Sequence, residues 1–340
     1  MMRLLRRFWV CLIIVVAACA GPPPPPESPA ETPPETGAQE PIVIRIAGYG
    51  PDTTSFSQGM TLIGERLAAR FGDRVDVRYL LNVMDVGYGG SDLPWLVDAG
   101  LLTMAYSTMS EDRIPELELA GLPFAFDDTA SARAAMDGPL GEAAARAVEA
   151  RRNVRVLGYF ENGFRHVSNN VRPVRTPADL QGVTIRVLPM QARTFELLGA
   201  DPQYVPLPQV RAGLESGSLD GQENPFANTV TYELHTLQRY HTATFHSYLS
   251  RAIIVHRPSF DAWPADVRAA LEDAVREAVA LQRSLKDEEE VQAAETIRAA
   301  GGEIVELTAA ERAAFVAAVA PIYQEARDLY TAELLALIGR

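Results

Sequence analysis

At 340 residues, the chain is too long for one small core and suits two lobes of ordinary domain size. Its formal charge of −13 becomes −16 once Arg3, Arg6 and Arg7 leave with the first 18 residues, which disfavours nucleic acid and anionic lipid as partners. Both cysteines, Cys11 and Cys19, lie in the first twenty residues, so a disulfide framework and a thiolate zinc site are excluded from the folded body.

Arg3, Arg6 and Arg7 precede the apolar run Phe8 to Ala18, a basic n-region and short h-region that predict a secretory signal over 1–18. Val16-Ala17-Ala18-Cys19 resembles the bacterial lipobox, whose cysteine is acylated. An ordinary cleavage site with a chance cysteine is the alternative. Nine prolines between Gly21 and Pro41 make 19–41 an extended, solvated tether. The expectation is an extracytoplasmic protein, lipid-anchored to a bacterial membrane through Cys19.

The folded body begins at Ile42. Ile42 to Ile46 reads as a strand, and Phe56, Met60, Ile63, Leu67 and Phe71 form one stripe of an amphipathic helix. Arg74 to Leu80 and Leu101 to Ser107 read as further strands, separated by the glycine-rich loop Gly87 to Gly90 and a helix. This alternation predicts parallel βαβ units. Thr129 to Ala150 is helical, interrupted at Gly138-Pro139. Val154 to Phe160 and Arg165 to Ser168 read as two strands.

The second half repeats this grammar. Thr176-Pro177-Ala178-Asp179 caps a short helix, Val183 to Val187 is a strand, and Gln191 to Leu198 and Gln209 to Glu215 are helices. Thr242 to His256 reads as one or two strands broken near Ser250. Pro264 opens a helix patterned by Val267, Leu271, Val275, Val279, Leu285, Val291 and Ile297, closing at Gly301-Gly302. Its reach of roughly 54 Å exceeds a single lobe. Thr308 and Glu311 form a capping box for terminal helices bent at Pro321.

Enzyme signatures are missing. There is no Gly-x-Ser-x-Gly elbow, His-Glu-x-x-His pair or Gly-x-x-x-x-Gly-Lys loop, and the five histidines are scattered. Lys286 is the only lysine, so arginine carries nearly all the basic charge and any single arginine says little. Arg186 stands opposite the apolar face of Val183, Ile185 and Val187, and Arg165 enters a strand after Asn162-Gly163-Phe164. Each reads either as a solvated or ion-paired surface residue or as a ligand contact. Asp220 to Pro225 reads as a polar turn or as a ligand-presenting loop.

Asn162-Gly163-Phe164-Arg165, the run Arg172 to Val187, Leu198-Gly199-Ala200-Asp201-Pro202 and the run Ala212 to Pro225 together resemble the central signature of the DctP family, the solute receptors of TRAP transporters. Leu122-Pro123-Phe124 is similar to that family's motif at the end of the first lobe. The resemblance implies an α/β, two-lobed periplasmic-binding-protein fold with crossing strands and a long helix spanning both lobes. It places lobe I at 42–163 with about 251–290, and lobe II at 164–250 with about 291–340. It implies a non-enzymatic receptor, without cofactor or metal, that binds a small carboxylate between the lobes and delivers it to TRAP permease membrane subunits. A ligand-binding module for a sensor kinase on the same fold is the alternative.

By the same resemblance Arg186 is the carboxylate anchor, Arg165 a second basic contact, and Asn224, with Glu223 beside it, a polar contact from the Gln-Glu-Asn segment. Leu207 takes a position often aromatic, and Tyr106, Ser107 and Tyr49 are first-lobe contacts. Gly87-Tyr88-Gly89-Gly90 differs from the family's Gln-Leu-Gly, Arg211 replaces a frequent tyrosine and Thr103 a frequent aspartate. A C4-dicarboxylate is the default ligand, with sugar acids, keto acids and amphipathic acids as alternatives.

Overall fold

Apolar alternation in the first third builds the parallel strands β1 (Ile42–Ala47), β2 (Val75–Leu80) and β3 (Met104–Ser107), with β1 between the other two. The computed structural model describes residues 40–109 and 114–339. The signal segment, Cys19 and all but the last two residues of the proline-rich tether lie outside those residues. Phe56, Met60, Ile63, Leu67 and Phe71 are all buried along the helix Ser55–Phe71, as their spacing predicts. The third strand is shorter than expected because residues 101–103 form a bend.

Two strands are longer than their sequence suggests. β4 (Val154–Asn169) runs unbroken through Asn162-Gly163, and it pairs antiparallel with the equally unbroken β8 (Tyr240–His256). The register shifts between Val156 and Gly158, Glu161 and Gly163, and Arg165 and Val167. Bulges there absorb the residues that read as breaks, and they bend the strands instead of ending them. Sixteen residues of strand reach roughly 53 Å, so both strands serve two lobes.

Beyond the crossing lie β5 (Thr184–Arg186), β6 (Asp201–Gln203) and β7 (Gly221–Asn224), with β9 (Glu303–Glu306) beside β8. The complete order is β2-β1-β3-β8-β4-β7-β5-β6. The segment read as a polar turn or loop, 220–225, is therefore largely strand. Gly221 permits it, since a Cβ there would come within 2.4 Å of the Ser168 carbonyl oxygen on the neighbouring β4.

Separate cores serve the two sides. Ile44, Ile46, Met104 and Ile254 belong to one, and Val183, Ile185, Val187 and Phe195 to the other. Of the terminal helices, Phe315 and Val319 pack into the second core, whereas Leu335 and Ile338 return to the first. The helix Ala265–Ala299 packs against Ser55–Phe71 at one end and Phe226–Thr231 further along. Its inner stripe departs from the expected one. Val291 is 63% exposed, while Gln282 and Lys286 are buried, because the helix meets the polar middle of β4 there. The Gln282 side chain accepts from the Glu161 N–H and donates to the Glu161 carbonyl, both at 2.9 Å. Among the described residues, no helix is long and apolar enough to cross a membrane.

Candidate functional site

A cavity of about 480 Å³ opens where the two sets of strands meet. From the first side come Tyr49, after β1, and the loop 87–92; from the second come Arg186, on β5, and Asn224, on β7. The crossing strands supply Arg165 and Arg251.

Arg186 is 4% exposed, so the surface-residue alternative does not hold. The alternation on β5 turns Val183, Ile185 and Val187 into the core and Arg186 to the other face, where its Nε donates to the Val205 carbonyl at 3.0 Å. Any paired contact with a carboxylate must therefore be made through its Nη1–Nη2 edge.

Arg165 is 2% exposed and tightly held by its neighbours. Its Nε and Nη2 donate to the Glu223 carboxylate, and Nη2 also reaches the Glu223 carbonyl at 2.6 Å and Asn224 Oδ1 at 3.1 Å. Nη1 donates to Asn162 Oδ1 at 3.1 Å. With five N–H groups in all, this leaves Arg165 one donor of Nη1 for a ligand. Burial alone would push the Glu223 carboxyl up. The Arg165 charge and hydrogen bonds, with His246 Nε2 3.4 Å from the carboxylate, prevail and hold it down to about 2. Glu223 is thus an anion that neutralises and orients Arg165.

The first-lobe wall is aromatic. Tyr49 packs on Tyr106 with ring centroids 5.1 Å apart, and its N–H donates to the Tyr106 hydroxyl at 3.3 Å. Gly90 lies flush on the Tyr49 ring, where a Cβ would come within 2.8 Å of two ring carbons. The loop can approach that closely only with glycine at this position.

Of the expected contacts, Arg186, Arg165, Asn224, Leu207 and Tyr49 line the cavity. Tyr106, Ser107 and Glu223 do not line it. Tyr106 backs Tyr49 and Phe56, the Ser107 hydroxyl accepts from the Met109 N–H, and Glu223 supports Arg165. Cys19 is outside the described residues. Sequence reasoning missed Arg251, Asn228 and Tyr88, which also line the cavity. For Arg251 a signal existed, a charge directly before the apolar run Ala252-Ile253-Ile254-Val255. Among the described residues no group of histidine, cysteine, aspartate and glutamate could hold a metal ion.

Residues 97–328 match the family described as DctP, bacterial extracellular solute-binding protein, family 7. The chain is 32% identical over 305 residues to the C4-dicarboxylate-binding periplasmic protein DctP of Rhodobacter capsulatus, covering 88% of this chain and 90% of that protein. It is also 32% identical over 222 residues to the 2,3-diketo-L-gulonate-binding periplasmic protein YiaO of Escherichia coli K12, spanning 65% of this chain and 66% of that relative. Among solved structures, a TRAP periplasmic solute binding protein from Chromohalobacter salexigens with bound D-glucuronate superposes with a TM-score of 0.80 at 25% identity, covering 87% of this chain and 97% of that one.

Proposed function

The chain belongs to the bacterial extracellular solute-binding proteins of family 7, and from that premise we propose that it captures a small organic acid outside the cytoplasm and delivers it to the membrane subunits of a TRAP-type permease. The observation that carries this reading is the placement of two buried guanidiniums, Arg165 and Arg186, in one cavity lined from both sides of the crossing strands. A carboxylate entering such a cavity loses water and needs charge and donors together, which a guanidinium edge supplies.

In this reading Arg186 is the anchor. Arg165, already neutralised by Glu223, adds a single directed N–H, and Asn224 holds it in place from β7. Leu207 and Tyr49 flank the carbon skeleton. The named ligands of relatives, a C4-dicarboxylate and 2,3-diketo-L-gulonate, are organic acids and support the class without selecting a member. Acylation at Cys19, after removal of 1–18, would tether the receptor through its proline-rich spacer; the lipobox sequence supports it.

Thermal-shift screening against organic acids tests the proposal, because a ligand that binds the native state raises apparent stability by mass action. Acids that raise the midpoint, with Kd confirmed by calorimetry and lost in Arg186→Ala, are the expected result. A library in which no acid binds, or in which Arg186→Ala binds as wild type does, overturns it.

A further inference from the structure

Arg251 is 3% exposed, yet it has no carboxylate partner among the described residues, and its Nε has no hydrogen-bond partner. Three aromatic rings surround its guanidinium carbon: Phe56 at 3.9 Å, Tyr49 at 4.7 Å and Tyr106 at 5.6 Å from their centroids. Ring faces hold a cation in place but neutralise none of its charge. Nor do nearby phenols. Burial pushes the Tyr232 hydroxyl up to about 12 against the opposing effect of Arg251, and it pushes Tyr106 higher still, so both are uncharged at neutral pH. Glu289 shares a small cavity behind Arg251, but its two oxygens accept from the Ser55 N–H at 2.6 Å and the Ser55 hydroxyl at 2.9 Å.

The contrast with Arg165, whose charge Glu223 balances, is sharp. A buried cation with no carboxylate in direct contact is costly, and the cost is relieved when an anion arrives beside it. Arg251 lines the same cavity as Arg186, and Tyr232 lies within electrostatic reach of both guanidiniums. We propose that Arg251 receives a second acidic group of a ligand whose first is held at Arg186, so that the site selects acids bearing two negative charges over matched acids bearing one. This rests on the carboxylate-receptor reading and adds the residue that sets charge number.

The test uses two probe pairs that differ by one carboxylate: succinate with butyrate, and galactarate with galactonate. Calorimetry on the wild type is expected to show the diacid of at least one pair binding about 30-fold or more tightly than its monoacid. In Arg251→Gln that ratio is expected to fall to within about threefold. Arg251→Lys, which keeps the charge should the glutamine variant not fold, is expected to retain part of the preference. A wild type that binds monoacid and diacid alike overturns this proposal while leaving the carboxylate reading intact, as does an Arg251→Gln ratio equal to wild type's. A wild type that binds neither diacid overturns this proposal, and the carboxylate reading is then decided by the library screen.

Discussion

Replacing Arg186 by lysine separates charge from geometry at the proposed anchor. In the proposed role the guanidinium has two tasks: Nε donates to the Val205 carbonyl at 3.0 Å, and the Nη edge meets the ligand carboxylate. A lysine ammonium keeps the charge, but it cannot hold Val205 and also present two parallel donors to a carboxylate. Hydrogen bonds to charged groups contribute about 1.5–3 kcal/mol each, and the variant loses one outright and misaims the other. The expected cost is about 2–4 kcal/mol, or roughly 30- to 1,000-fold in Kd. Calorimetry with any acid that stabilises the wild type reads this directly. Circular dichroism should show a normal fold, since Val183, Ile185 and Val187 keep the core face of β5 filled. Arg165→Lys should cost binding less, because Arg165 has one donor left to offer. If Arg186→Lys binds within about threefold of wild type, the bidentate anchor is wrong.

Three further outcomes are expected, two from the geometry and one from the lipobox sequence. Glu223 sits at about 2 in the fold against an ordinary value of 4.5, so its contribution of about 3 kcal/mol is fully present above pH 4.5 and lost as pH falls toward 2. Denaturant melts should show that acid loss, and Glu223→Gln should remove it and destabilise the protein at pH 7 by about 3–5 kcal/mol through the unpaired Arg165; a variant as stable as wild type at pH 7 refutes the pair. Gly90→Ala should displace the Tyr49 ring or its own loop at about 1–3 kcal/mol, read as a lower melting midpoint or weaker acid binding, and no change in either refutes the close contact. Cys19→Ser should give a protein released from membranes or left unprocessed, still able to bind acid; correctly processed, membrane-retained Cys19→Ser protein refutes acylation.

Local pattern made the helices and the first-lobe strands readable in advance, because the stripe from Phe56 to Phe71 and the alternation from Ile42 carry their own periodicity. The long helix was legible in extent but not in face. Its middle turns toward the backbone of Glu161, so burial there selects Gln282 and Lys286, which no hydrophobic count detects. β4 and β8 run longer than their sequence suggests for a related reason. Gly163 and Ser250 are turn signals in isolation, yet antiparallel pairing between two long strands outweighs them, and bulges accommodate the surplus residues. Gly221 likewise lies in a segment that reads as a polar turn or loop, while in the fold it marks a place where β7 comes too close to β4 for a Cβ.

The site divides along the same line. Arg186, Arg165 and Asn224 stand in contiguous motifs, so spacing along the chain locates them, and Glu223 follows from its neighbour even though it faces Arg165 and not the cavity. Arg251 belongs to no such motif. In a chain whose basic residues are almost all arginine, its identity is uninformative, and its partners Phe56, Tyr49 and Tyr106 lie about 145 to 200 residues earlier. What distinguishes it is a property of the assembled fold, a buried cation supported by rings and, among the described residues, in salt-bridge contact with no carboxylate. On the reading proposed above, the motif residues hold the ligand's common carboxylate, whereas Arg251, which would distinguish one acid from another, meets its ring partners only because β8 pairs with β3 in the assembled sheet.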